Sequence, residues 1–247
     1  MIKYILILFT TFFLSSIGIC QINSNSISNN VASEIDSFPN GFNISIALIK
    51  DNDVHFIGLK KENDSIFSIN IEDSLFEIGS LTKVFTSTLL ANLVIQKEIN
   101  LTDNINTIFP FKFRDKIKLN YISLSNHTSG LYRIPSNLFP LLFKNPSNPY
   151  KKYTLELFNH YLENELKLES ESGTKYSYSN LGAGLLAYSL SLNKQVTFEK
   201  MLSNRIFSKF TMTSTSFDLT PSFKGVKHNG AFTENWQFNA LKGSGGL

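Results

Sequence analysis

The chain changes its hydrophobic rhythm twice. Residues 43–50 alternate in polarity with β-branched side chains, Asp51-Asn52-Asp53 suits a tight turn, and residues 54–59 continue in strand-forming composition, which predicts a β-hairpin. A polar loop follows. From Ser80 onward Val84, Phe85, Leu89, Leu93 and Val94 recur at helical spacing until Gln96-Lys97-Glu98, placing Ser80 at a helix start. Pro110, the Lys/Asp-rich residues 112–118 and the proline-containing residues 131–149 predict irregular connections around shorter helices. Residues 155–168 have helical spacing again, residues 170–179 form a Gly- and Ser-containing loop, and residues 180–192 make a second strong helix in which Gly182, Ala183 and Gly184 permit close packing. A third helix is expected over residues 198–210. A strand-forming end followed by a helical stretch implies an α/β (α+β) fold: an antiparallel sheet flanked by helices, plus an all-helical lobe.

The first twenty residues stand apart. Lys3 precedes an apolar run over residues 4–19 broken only by Thr and Ser, and a polar Asn/Ser stretch opens at Gln21. This is the pattern of a secretory signal, shorter than the roughly 20 apolar residues a spanning helix needs. We expect cleavage before Gln21, a polar, mobile leader over residues 21–37, a turn at Phe38-Pro39-Asn40-Gly41, and one domain over residues 38–247 in a periplasmic or secreted protein. Lipid anchorage through Cys20 is the alternative, which bulky Ile19 fits poorly. Cys20 is the only cysteine, so neither an intramolecular disulfide nor a cysteine-rich metal site can form. With 42% hydrophobic residues and a net charge of +3, the chain has enough apolar content for a core and no field to gather nucleic acid.

The site chemistry must then use oxygen and nitrogen. In Ser80-Leu81-Thr82-Lys83 the residues three apart share a helix face, so the amine can reach the hydroxyl. A serine alcohol needs such a base, and partial burial brings a lysine toward that role by disfavouring its charged form. Ser-x-x-Lys alone is a weak signal, since it recurs at Ser172-Lys175 and Ser191-Lys194, but only Ser80 begins a long apolar helix. Tyr178-Ser179-Asn180 is the one Tyr-x-Asn in the chain. A phenol beside a lysine can relay a proton to a leaving nitrogen. Read alone, Tyr178 also suits a core and Asn180 a helix N-cap.

Four segments together resemble one family. Phe76-Glu77-Ile78-Gly79-Ser80-Leu81-Thr82-Lys83 is similar to the nucleophile segment of class C β-lactamases and related D-alanyl-D-alanine peptidases and esterases. Ser125-Asn126-His127-Thr128-Ser129-Gly130-Leu131 is similar to that family's helix-to-loop segment, residues 172–182 to its second catalytic motif, and Gly243-Ser244-Gly245-Gly246-Leu247 to the stretch that follows. The resemblance covers nearly all of residues 38–247. It implies Ser80 as acylated nucleophile, Lys83 and Tyr178 as proton-handling partners, Asn180 orienting Lys83 and a substrate amide, and His127 as a buried, hydrogen-bonded structural residue. The implied substrates are β-lactams, D-Ala-D-Ala-type peptides or small esters; a non-catalytic peptidoglycan-binding protein is the alternative from another class. Neither a metal nor an organic cofactor is implied: His55, His160 and His228 lack metal-ligand spacing.

Two departures accompany the likeness. Ser172 stands where relatives commonly have proline. The family's third motif, Lys-Thr-Gly or a variant of it, does not occur in the 247 residues, so the sequence reads as C-terminally truncated, with the hairpin expected to keep an unpaired edge and the core to be incomplete.

Overall fold

The computed structural model describes residues 24–247 apart from 52, 73 and 219–222. The expected signal segment and Cys20 lie outside the described residues. Helix α1 (Ser24–Ile35) comes first, where the sequence suggested a mobile polar leader. Its few apolar residues, Ile27, Val31, Ala32 and Ile35, fall at helical spacing and pack on the sheet, which compensates for the poor helix propensity of the surrounding Ser and Asn.

The expected hairpin forms from β1 (Asn43–Lys50) and β2 (Asp53–Glu62), antiparallel, with Ile44 opposite Leu59 and Ile46 opposite Ile57. The polar loop after it contains a third strand, β3 (Ser65–Ser68), which pairs with β2 through a turn whose Asn63 and Asp64 both take positive φ. The sheet order is β1-β2-β3. Among the described residues no strand pairs with the outer edge of β1. One face, with Ile57 and Leu59, packs beneath α1; the other leaves Ile49, Val54, Phe56 and Phe67 exposed.

The helical lobe holds the larger core. Helix α2 (Thr82–Ile95) follows a 3₁₀ turn over Gly79–Leu81. Short α3 (Tyr121–Ser125) and α4 (Phe139–Lys144), then α5 (Leu155–Asn164), lead to the central α6 (Asn180–Lys194). The helical pattern over residues 198–210 resolves into α7 (Phe198–Leu202) and a π turn over Ser203–Phe207. Ser179, and not Asn180, caps α6: its side chain accepts the Gly182 N–H at 2.8 Å.

Small residues in α6 decide how closely the last segment approaches. A 3₁₀ segment, Asn239–Ser244, lies along α6 so tightly that a Cβ on Gly184 would sit 2.5 Å from Leu241 Cδ2, and one on Gly243 would sit 2.3 Å from Ala187 Cβ. The same segment is tied to α2: Thr86 Oγ1 donates to the Gly243 carbonyl at 2.8 Å, the Leu247 N–H donates to Thr82 Oγ1 at 3.0 Å, and the Leu247 carbonyl accepts the Ile78 N–H at 3.0 Å. Residues 239–247 thereby wedge α2 against α6 and fix the turn that carries Ser80.

Gly243→Ala should lower stability by about 1–3 kcal/mol, because the added methyl meets helix backbone and Ala187 instead of a side chain that can swing away. Thermal denaturation followed by circular dichroism checks this; an unchanged melting temperature would mean that α6 and the wedge separate without cost.

Candidate active site

The site is built around a sharp turn. Gly79 adopts φ +52, with nothing within 4 Å of where a Cβ would lie, so the glycine answers a conformational need and not a steric one. That turn presents exposed Ser80 at the head of α2, and Lys83 follows on the same face. The Lys83 ammonium donates to Ser80 Oγ at 3.2 Å and to the Ser244 carbonyl at 2.5 Å. Tyr178, from the loop before α6, donates its hydroxyl to Ser80 Oγ at 2.8 Å. Three residues separated by up to 98 positions in sequence therefore meet at one oxygen.

Electrostatics favour mobile protons here. Burial holds the Lys83 pKa below the ordinary lysine value, and the Arg133 charge adds to that, while contact with Tyr178 works in the opposite direction. Partial burial of the Tyr178 phenol tends to raise its pKa, but hydrogen bonds with Lys83 and Ser80 and the charges of Lys83 and Arg133 outweigh this and leave it lowered. Two neighbouring groups whose pKa values are both held below their ordinary values can exchange one proton across the serine, and the proton belongs to the pair.

Asn180 is placed differently from expectation. Its Nδ2 donates to the Tyr150 hydroxyl at 3.2 Å, and the hydrogen bonds of Lys83 go to Ser80 and Ser244 instead. Its Oδ1 is buried with no partner. Tyr150 is itself fixed by stacking on Phe238, ring centroids 4.6 Å apart.

His127 is half-buried and acts on Tyr178 from both sides. Its carbonyl accepts the Ser177 N–H at 2.8 Å, its Nδ1 accepts the Ser179 N–H at 3.2 Å, and its ring lies 4.7 Å from the Tyr178 ring. An acceptor Nδ1 requires the neutral ring with its hydrogen on Nε2. Burial, and secondarily the Lys83 charge, keeps the His127 pKa low, which preserves that form. Ser179 completes the clamp, as its hydroxyl also donates to the Tyr132 carbonyl at 2.7 Å.

Arg133, Tyr150 and the Ser244 carbonyl are members of this site that sequence reasoning did not single out. No short motif marks the first two, and a backbone carbonyl carries no signal in residue type. Among the described residues, no group of three or more His, Cys, Asp or Glu side chains is gathered as a metal site.

A mixed α/β molecule with a three-stranded antiparallel sheet, a helical lobe and a serine, a lysine and a tyrosine converging at the head of a helix defines a class of serine-centred α/β proteins. The chain belongs to the beta-lactamase family, whose model matches residues 43–242. It is 26% identical over 151 residues to a beta-lactamase of Lysobacter lactamgenus, covering 61% of this chain and 36% of that protein. Its fold is similar to an octameric penicillin-binding protein homologue from Pyrococcus abyssi, with a TM-score of 0.68, 19% identity, and coverage of 91% of this chain and 53% of that one. A beta-lactamase/D-alanine carboxypeptidase from Yersinia pestis, solved with citrate, matches with a TM-score of 0.63, 20% identity, and coverage of 90% and 64%. The chain thus spans about a third of the Lysobacter protein and somewhat over half of the two solved ones.

The lowered His127 pKa makes a stability prediction with a defined sign. Because the folded value lies below the unfolded one, the contribution is present above the ordinary histidine pKa and is lost as pH falls through the folded value. His127→Asn, which tolerates the positive φ at this position, should flatten that acid loss; melting temperatures from pH 7 downward for both proteins check it.

Proposed function

We propose that this chain is an exported serine hydrolase acting through an acyl-Ser80 intermediate on β-lactams or D-Ala-D-Ala-type peptides. The observation that carries the reading is the convergence of Lys83 Nζ and Tyr178 OH on Ser80 Oγ, at 3.2 and 2.8 Å. Lys83 in its neutral form takes the serine proton as Oγ bonds to the substrate carbonyl carbon. Tyr178 then gives its hydroxyl proton to the leaving nitrogen as the carbon–nitrogen bond breaks, and recovers a proton from Lys83. Water attacks the ester left on Ser80, passing a proton to the same pair, which returns it to Ser80 Oγ as the ester carbon–oxygen bond breaks and the acid leaves. Asn180 is assigned the amide N–H of the acyl group: its Oδ1 has no partner, and because that atom is buried the side chain must turn toward the substrate to take the bond.

The named relatives support this substrate class: one is a beta-lactamase and another a beta-lactamase/D-alanine carboxypeptidase. A small-ester reading rests on a separate observation. A cleft of about 520 Å³ on the Leu81, Val84 and Phe85 side of α2, with Phe76 and Met212 among its walls and Glu77 and Asp218 at its polar part, begins at the residue after Ser80 and offers apolar surface suited to an alkyl group. Export rests on the signal-like first twenty residues, and protein recovered from the periplasm or medium should begin at Gln21.

Intact-mass spectrometry after exposure to a penicillin should show one adduct that Ser80→Ala abolishes and Lys83→Met slows by about a hundredfold or more. An adduct retained in Ser80→Ala, or neither an adduct nor turnover of a penicillin or an activated ester by folded protein, would sink the acyl-serine reading in favour of a non-catalytic binding protein. The acylation rate should climb with pH to a midpoint below the ordinary lysine range, since the neutral amine is the active form and its pKa is held down. A stopped-flow pH series on the same reaction measures that midpoint.

A further inference from the structure

Arg133 has no part in the proton transfers, yet it is fastened to the site. Its carbonyl accepts the N–H groups of Asn180 and Leu181 at 2.9 and 3.1 Å, and the carbonyl of Tyr132 before it accepts the Ser179 hydroxyl at 2.7 Å. Three hydrogen bonds thus join residues 132–133 to the segment carrying Tyr178. The guanidinium is placed 5.1 Å from the Tyr178 ring centroid, on a ring whose hydroxyl touches Ser80. A cation over an aromatic face is favourable, so the ring holds the side chain near the nucleophile. Among the described residues, the guanidinium forms no ion pair and donates no hydrogen bond. Its five donors are open to a ligand.

The same side chain lines a cleft of about 500 Å³ on this flank of the site, with Tyr132, Arg114, Lys167, Glu165 and Glu169 among its walls. The charges there are unevenly committed. Glu165 accepts the Ser136 hydroxyl at 2.7 Å and faces His160 at 3.7 Å, and Glu169 accepts the Ser177 hydroxyl at 3.3 Å. Arg114 pairs with Asp115 at 3.2 Å. Besides Lys83, whose ammonium is 4.7 Å from the Tyr178 ring centroid, Arg133 is the cation set against the ring of the site. Asn180, assigned the acyl amide in the proposed function, is main-chain bonded to Arg133, and on that reading the acyl part of the substrate lies on this flank.

We propose that Arg133 is a specificity-determining residue that selects substrates carrying a carboxylate on the acyl group, a few atoms from the reacting carbonyl. A planar guanidinium can meet that carboxylate with two parallel N–H bonds, which a lysine cannot do. Selection occurs before any covalent step, so it raises the rate with an anionic acyl group relative to a neutral one of the same size. This inference rests on the acyl-serine reading above.

The test compares mono-p-nitrophenyl glutarate with its methyl ester, two activated esters that differ only in the acyl-end charge. We expect the anionic ester to acylate Ser80 roughly tenfold faster than the neutral one, and Arg133→Gln to remove most of that ratio. Raising the salt should narrow the ratio, Arg133→Lys should restore it only in part, and Lys144→Gln, at a surface position away from the cleft, should leave it unchanged. Equal rates for the two esters in the parent protein, or a ratio that survives Arg133→Gln, would overturn the inference while leaving the nucleophile assignment intact. A parallel measurement separates the two readings. Calorimetric binding of glutaric acid mono-anilide and its methyl ester to Ser80→Ala reads charge selection without acylation. A preference for the acid that Arg133→Gln abolishes supports Arg133 even where neither ester labels the serine, and no preference counts against it.

Discussion

The arrangement around Ser80 depends on how closely residues 239–247 lie between α2 and α6. Glycines at 184 and 243 remove the side chains that would hold these backbones apart. The closeness lets Thr82, Thr86 and Ile78 hydrogen-bond to the segment, and it brings the Ser244 carbonyl to Lys83. Lys83 is thus held by a group that attracts its charged form while burial disfavours that form. The balance of these two effects keeps a lysine useful as a base: an isolated buried amine would lose its charge outright, and a solvated one would keep it.

A second clamp orders the phenol. Tyr178 sits in a loop, where backbone entropy works against precision. His127 counters this by hydrogen-bonding the residues on either side of Tyr178 and packing its ring against the phenol. Ser179 adds a helix cap and a bond to Tyr132. The two clamps act on different elements, so the serine and its partners are located independently and converge without a continuous structural element between them.

Much of this was legible in the amino-acid order, and the exceptions have physical reasons. The β1–β2 hairpin alternates along its strands, and helices α2 and α6 are long apolar stretches that end in recognisable polar segments. The third strand lies in a stretch too short and polar to declare itself, and α1 hides its four apolar contacts among Ser and Asn. Ser80, Lys83, Tyr178 and Asn180 stand in motifs, but the motif could not show that Asn180 would turn to Tyr150 or that Ser179 would take the cap. Arg133 and Tyr150 reach the site through tertiary packing alone, and the Ser244 carbonyl is a main-chain atom common to every residue type. Sequence marked the residues whose chemistry is rare; folding recruited those whose chemistry is common.

The small sheet has a bearing on handling the protein at high concentration. With α1 on one face, Ile49, Val54, Phe56 and Phe67 on the other, and the outer edge of β1 without a strand among the described residues, the sheet offers both an apolar plane and a row of main-chain donors and acceptors. Two molecules meeting edge to edge would satisfy both at once. Lys60 shares the face of Phe56 and Phe67 but pairs with Glu62 at 3.0 Å, so an ion pair, and not a bare charge, stands against the encounter. An adhesive surface thus sits at the end of the fold that takes no part in the chemistry.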